Sequence, residues 1–166
     1  MTSSLSARQL DDQLRAAFET PYTFAAPKSS LPPEMRPQWR LPILLILLQK
    51  CWGQRATWRQ LHVLNWAIRN PGSRQVMLDL VEGRLTPDKA LVRFEPGLSH
   101  AVDLARGAGL IEWRGGRVAH LTARGQEAAK AVEASGALVD ERAFLDEIKG
   151  AVTQSFIDEL IEGTTR

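Results

Sequence analysis

From Ile43 to Trp52 nearly every position is apolar. Pro42 suits the first turn of a helix there, and Gly53 closes it. A helix that is apolar on nearly every side has no solvent face, so this one is predicted to be buried. Thr57 can cap a second helix with Leu61, Leu64 and Ile68 as its inner stripe, stopping at Asn70-Pro71-Gly72. Ser73 is the expected cap of a third, with Val76, Met77, Leu80 and Val81 inward and Gly83 at its end. Thr86-Pro87-Asp88 signals a turn, and Ala90 to Phe94 reads as a short strand. From Gly97 to Ala108, Leu98, Ala101, Val102 and Ala105 recur at helical spacing until Gly109.

Two short strands follow, Leu110 to Arg114 and Arg117 to Leu121. Gly115-Gly116 between them can take the positive φ angles of a two-residue hairpin. The expected opposite pairs are Trp113 with Val118 and Ile111 with His120. Thr122 then caps a helix through Ala134. The rest, Asp140 to Glu162, is expected to be one long helix with the stripe Leu145, Ile148, Val152, Phe156 and Leu160. Such a helix would be roughly 33 Å long at 1.5 Å per residue, more than a small core can cover. Phe156 and Leu160 are therefore expected at a protein interface.

At the other end, Ser6 and Gln9 have capping-box spacing, and Leu10, Leu14 and Phe18 recur every four residues. A short amphipathic helix is predicted over 7–19, its apolar side offered to a partner. Pro21, Pro27, Pro32, Pro33 and Pro37 make residues 20–38 an extended arm. The predicted organisation is thus an N-terminal helix (1–19), a proline-rich arm (20–38), a central domain (39–136) and a C-terminal interface helix (137–166). Helix, short hairpin, helix, after two or three earlier helices, is the order of a winged helix-turn-helix. The predicted fold class is mainly α with a small β-hairpin wing and extra terminal helices.

Composition changes this picture little. The 166 residues are 44% hydrophobic and 24% charged, ordinary for a globular chain. The longest apolar run, Leu41 to Leu48, is far short of the roughly 20 residues of a membrane span. The single cysteine, Cys51, excludes an internal disulfide and fits a reducing compartment. With no secretory signal at the N-terminus, the expected location is the cytoplasm.

Charge changes it more. The formal total is only +2, but residues 35–78 hold seven basic side chains and no acidic one. Residues 139–166 hold three basic and seven acidic. Segregation of this kind marks faces that meet different partners, or each other. Arg55, Arg59, His62, Trp66 and Arg69 are spaced as one helical stripe. A tryptophan among arginines on an outer face is typical of interfaces and stacking sites, so this stripe is a candidate contact for a partner or for DNA backbone.

No catalytic constellation emerges. His62, His100 and His120 are scattered, and none has metal-ligand spacing with a carboxylate or with Cys51. No phosphate-binding loop or dinucleotide fingerprint is present, and Gly115-Gly116 is better explained by the hairpin turn. Neither metal nor cofactor is expected. Cys51 reads as a buried thiol and His120 as a histidine at the core edge. In a DNA-reading winged helix the helix before the wing enters the major groove. Its outward residues here would be Ser99, His100, Asp103 and Arg106. Asp103 would face phosphates, which opposes binding that depends on neutralised phosphates. Arg114 and Arg117 on the wing remain able to hold backbone.

The run GLIEWRGGRVAHLTARG, Gly109 to Gly125, resembles the wing of many bacterial winged-helix proteins. These include MarR-like and PadR-like regulators and the winged-helix accessory subunits of chromosome-maintenance ATPases. The longer stretch VRFEPGLSHAVDLARGAGLIEWRGGRVAHLTARGQEAAKAV, Val92 to Val132, is similar to the small middle component of three-component ABC-ATPase systems. Those components sit beside a large ATPase of the structural-maintenance-of-chromosomes (SMC) type and an effector, in anti-phage defence of the Lamassu kind. The resemblance spans about residues 41–135. It implies a non-enzymatic adaptor that links ATPase and effector, with non-specific DNA contact as an addition. A transcriptional regulator, dimeric through its terminal helices, is the other expectation.

Overall fold

The structure, a computed structural model, describes residues 37–163, which fall in one compact unit. The predicted N-terminal helix, with Leu10, Leu14 and Phe18, and most of the arm lie outside the described residues.

Helix α1 (Pro37–Lys50) is the centre of the fold. Ile43 through Leu48 are all buried, and α1 packs against helices on several sides, as its unbroken apolar run requires. It begins at Pro37, inside the predicted arm and a turn before Pro42. A proline at the first helical position loses no hydrogen bond, because that amide has no partner in any helix. Pro42 therefore sits within α1. Gly53, at φ 64°, breaks the helical conformation inside the following turn of 3₁₀-helix, Trp52–Gln54.

Strand β1 (Arg55–Thr57) comes next, where the sequence showed none. Helix α2 (Trp58–Ile68) starts on a capping box. The Gln60 amide donates to Thr57 Oγ1, and Gln60 Oε1 accepts from the Thr57 amide. Helix α3 (Pro71–Val81) is capped by Asn70, whose Oδ1 accepts from the Ser73 amide at 2.8 Å. The cap is Asn70 and not Ser73, since Pro71 fits the first helical position and Asn caps as well as Ser does. Residues 90–94 form no strand, so the one expected there is absent; a 3₁₀ turn, Pro87–Lys89, precedes them.

Helix α4 (Pro96–Gly107) buries Leu98, Ala101, Val102 and Ala105 as expected. Strands β2 (Ile111–Arg114) and β3 (Val118–Leu121) form the hairpin, and β1 adds to it antiparallel, giving the order β1-β3-β2. The hairpin register differs by one residue from the expected one. Ile111 faces Leu121 and Trp113 faces Ala119. Gly115 and Gly116 do take positive φ, and the Arg117 amide closes the turn on the Arg114 carbonyl, but Arg117 stays outside the ladder. The reason is burial. Opposite residues in an antiparallel pair share a face, and the observed register puts Ile111, Leu121 and Ala119 together inside. The expected one would have set Ile111 opposite His120.

Helix α5 (Ala123–Ala134) is capped by Thr122, whose Oγ1 accepts from the Gly125 amide. Gly125 is buried, and a Cβ there would overlap the carbonyl oxygen of Leu110. That oxygen is fixed, because it accepts from the Thr122 amide at 3.0 Å. Gly125→Ala is expected to destabilise the fold by about 1–3 kcal/mol, the usual effect of overpacking against backbone. Chemical denaturation would measure it, and an unchanged midpoint would mean that α5 can slide on β2.

The single C-terminal helix of the sequence reading is two helices, α6 (Val139–Ile148) and α7 (Gln154–Gly163). Gly150 follows the end of α6, and Thr153 Oγ1 accepts from the Phe156 amide to start α7. The break lets both helices turn their apolar sides inward. Phe144, Leu145, Ile148, Ile157 and Leu160 are buried in the chain's own core, and Phe156 is half-buried. The expected exposed stripe is therefore not present, and Leu160 is a core residue. No described helix is long and apolar enough to cross a membrane.

Candidate interaction surface

The five residues of the expected basic stripe do not share a face. Arg55 lies on β1 opposite His120, so helical phase does not extend to it. Its guanidinium sits over the Trp52 ring at 4.9 Å. Arg59 is exposed and reaches Asp158 at 3.3 Å. His62 and Trp66 are buried, 5% and 7% exposed. Helix α2 has neighbours on several sides, including α1, α3, α6 and α7, so its buried sector is much wider than one stripe. The tryptophan that argued for an outer contact face is part of the core.

His62 belongs to an aromatic row. Its ring meets Trp58 edge-on at 4.6 Å and stacks on Phe94 at 4.5 Å, while Trp58 tilts against Trp113 at 6.0 Å. Burial lowers the His62 pKa against the opposing charge of Glu95, so the imidazole is neutral at pH 7. Its Nδ1 is buried without a hydrogen-bond partner.

Arg69 is bound to Glu95 at 2.7 Å. The same carboxylate accepts from Arg40 and from Asn65 Nδ2, the latter at 3.3 Å. Burial pushes the Glu95 carboxyl up. The Arg40 hydrogen bond and the Arg69 charge outweigh it and hold the group below the usual range. Gly97 makes room for this node, because a Cβ there would overlap the Arg40 guanidinium. Sequence separation hid the node, since Arg40 and Glu95 are 55 residues apart.

The segregated charges meet each other. Lys50 pairs with Asp146 at 2.8 Å, Arg74 with Glu141 at 2.6 Å and Arg59 with Asp158 at 3.3 Å. The basic segment is thus partly neutralised by the acidic C-terminal helices of its own chain.

One surface left for contact is the outer side of α4 and the wing. Ser99 is half-buried; His100, Asp103, Leu104 and Arg106 are exposed. An open groove of about 770 Å³ runs between α4, the start of α2 and the hairpin turn. Trp58, Trp113, Arg59, Arg117 and Asp103 all line it. Arg114 is tied to Glu112 at 2.6 Å, so its charge is shared. His120, on the outer face of the sheet, has its pKa lowered by burial and by the nearby Arg114 and Arg55.

The exposed Leu104 was not singled out from the sequence, although its place outside the set Leu98, Ala101, Val102 and Ala105 was a readable signal. Among the described residues no group of three or more His, Cys, Asp or Glu is placed to hold a metal ion. No family model, curated protein or solved structure matches the chain.

Proposed function

We propose that this chain is a non-enzymatic adaptor with a winged helix-turn-helix core. In this reading it links an SMC-like ATPase to an effector subunit in a cytoplasmic defence complex. Support for the core comes from the order α1, β1, α2, then α4 and the β2–β3 hairpin, with the sheet order β1-β3-β2 and α3 as an insertion. Support for the subunit role comes from the similarity of residues 92–132 to the middle components of such systems.

The observation that favours protein over DNA as the partner is the pair Asp103 and Leu104. Both are exposed on the α4 face that a DNA reader would place in the major groove. A carboxylate there repels phosphate, and a leucine half out of water gains by burial against another protein. The second reading, a dimeric regulator, draws on Arg59 and Arg117, which line the groove.

Co-expression with the proteins encoded beside it tests the choice. The chain is expected to co-purify with a long coiled-coil ATPase, and Leu104→Asp is expected to weaken that association about tenfold or more by leaving a charge in the contact. The isolated chain is expected not to shift a specific DNA fragment at physiological salt. A homodimer that shifts one fragment selectively, and no co-purifying ATPase, would overturn the adaptor reading in favour of the regulator.

A further inference from the structure

A cleft of about 750 Å³ opens where the end of α1, strand β1 and the α6–α7 connection come together, next to the α4 groove, with which it shares Thr57 and Gln154. Its size is within the range of small-molecule sites, about 300–1,000 Å³. Its apolar wall is made by Leu47, Leu64, Leu145 and Ile148, all buried. Cys51 also lines it, and burial pushes its thiol up to about 11, so it is an uncharged part of the wall.

The mouth is different in kind. Lys50, Arg55 and Lys149 line it together with Trp52. Lys50 is already held by Asp146, and Lys149 shares that carboxylate at 3.6 Å. Arg55 has no carboxylate partner among the described residues and rests on Trp52, which is 83% exposed. A tryptophan so exposed gains by being covered, and an arginine stacked on it is held in place for a second contact. Thr153 and Gln154, at the start of the ten-residue helix α7, complete the mouth. The first amides of a helix have no partner within it and favour negative charge.

We propose that this cleft binds a small organic anion with an apolar body. The body lies on the apolar wall, and the anionic head meets Arg55 and Lys149 beside the N-terminus of α7. Asp103 and Leu104, on which the adaptor reading rests, take no part in it, so the two stand or fall separately. The cleft also touches the joint between α6 and α7, so occupancy would stiffen the C-terminal helices against β1.

The probes are decanoate, its neutral counterpart decanol, and anilinonaphthalene sulfonate, with the full-length chain. Decanoate is expected to bind more tightly than decanol. Arg55→Ala with Lys149→Ala is expected to weaken decanoate and the sulfonate about tenfold or more, the worth of a lost charge-assisted hydrogen bond, while decanol is unaffected. Both substitutions are at exposed side chains, so folding is retained. Maleimide labelling of Cys51, the sole cysteine, gives an independent reading, and saturating decanoate is expected to slow it several-fold. If neither anion slows labelling, or if both bind equally well to the double variant, the cleft is not an anion site.

Discussion

Leu160→Ala is expected to lower the stability of the protein by about 2–5 kcal/mol, the usual cost of emptying a fully buried leucine site. The melting temperature should fall by roughly 10 °C or more. Leu160 and Ile157 are both wholly buried on the inner side of α7. That side faces α2 and the 3₁₀ turn at Pro87–Lys89, and Gly163 lies close against Pro87. A methyl group cannot fill the space, and the helix is pinned at both ends, so collapse around the cavity is limited. Unfolding followed by circular dichroism and size-exclusion chromatography gives the check. Were the helix an interface element, the variant would keep its melting temperature and lose association with another chain instead.

Glu95→Gln is expected to cost about 2–3 kcal/mol at neutral pH, at or just below the lower bound of about 3–5 kcal/mol for breaking a fully buried ion pair. The discount reflects Arg69, whose side chain is 32% exposed, whereas Arg40 is only 11% exposed. The substitution keeps the shape and removes the charge, leaving two guanidinium groups facing each other across an amide. The wild-type effect depends on pH with a definite sign. Glu95 is held below its ordinary value, so it binds a proton less readily folded than unfolded. Its contribution is complete above the ordinary glutamate value of about 4.3 and is lost as pH falls through the lower folded value. The stability gap between wild type and variant should therefore be widest near neutrality and narrow below about pH 4. A gap of constant size across that range would mean the carboxylate is not the centre of the node.

Much of the helical layout was legible from local rules. The all-round apolar run that became α1, the caps at Thr57 and Thr122, and the inward set of α4 follow from residues a few positions apart. These involve forces that act within one or two turns, so the chain displays them directly. The same holds for the two glycines of the hairpin turn, whose positive φ is a local steric matter.

What local rules could not decide was which sides of each element would be covered. Helix α2 was read as two-faced because its periodicity allowed a basic stripe. Its position among α1, α3, α6 and α7 buried His62 and Trp66, drew Arg69 to Glu95 and left Arg59 exposed. The hairpin register slipped by one for a related reason, since only the core beneath it distinguishes Leu121 from His120 as the partner of Ile111. Strand β1 is three residues long and exists because β3 offers it an edge. Gly150 and Thr153 were local signals for the break between α6 and α7 that the regular stripe outweighed.

The sequence by itself determined the helices of the central domain, the glycines of the hairpin turn and the segregation of charge, because each rests on short-range sterics, capping and composition. Only the tertiary structure decided that the basic and acidic segments neutralise one another, that Glu95 gathers two arginines, and that His62 and Trp66 are buried. Those outcomes depend on which residues far apart in the chain are brought within a few ångströms, and burial and Coulomb attraction act only once packing has done so.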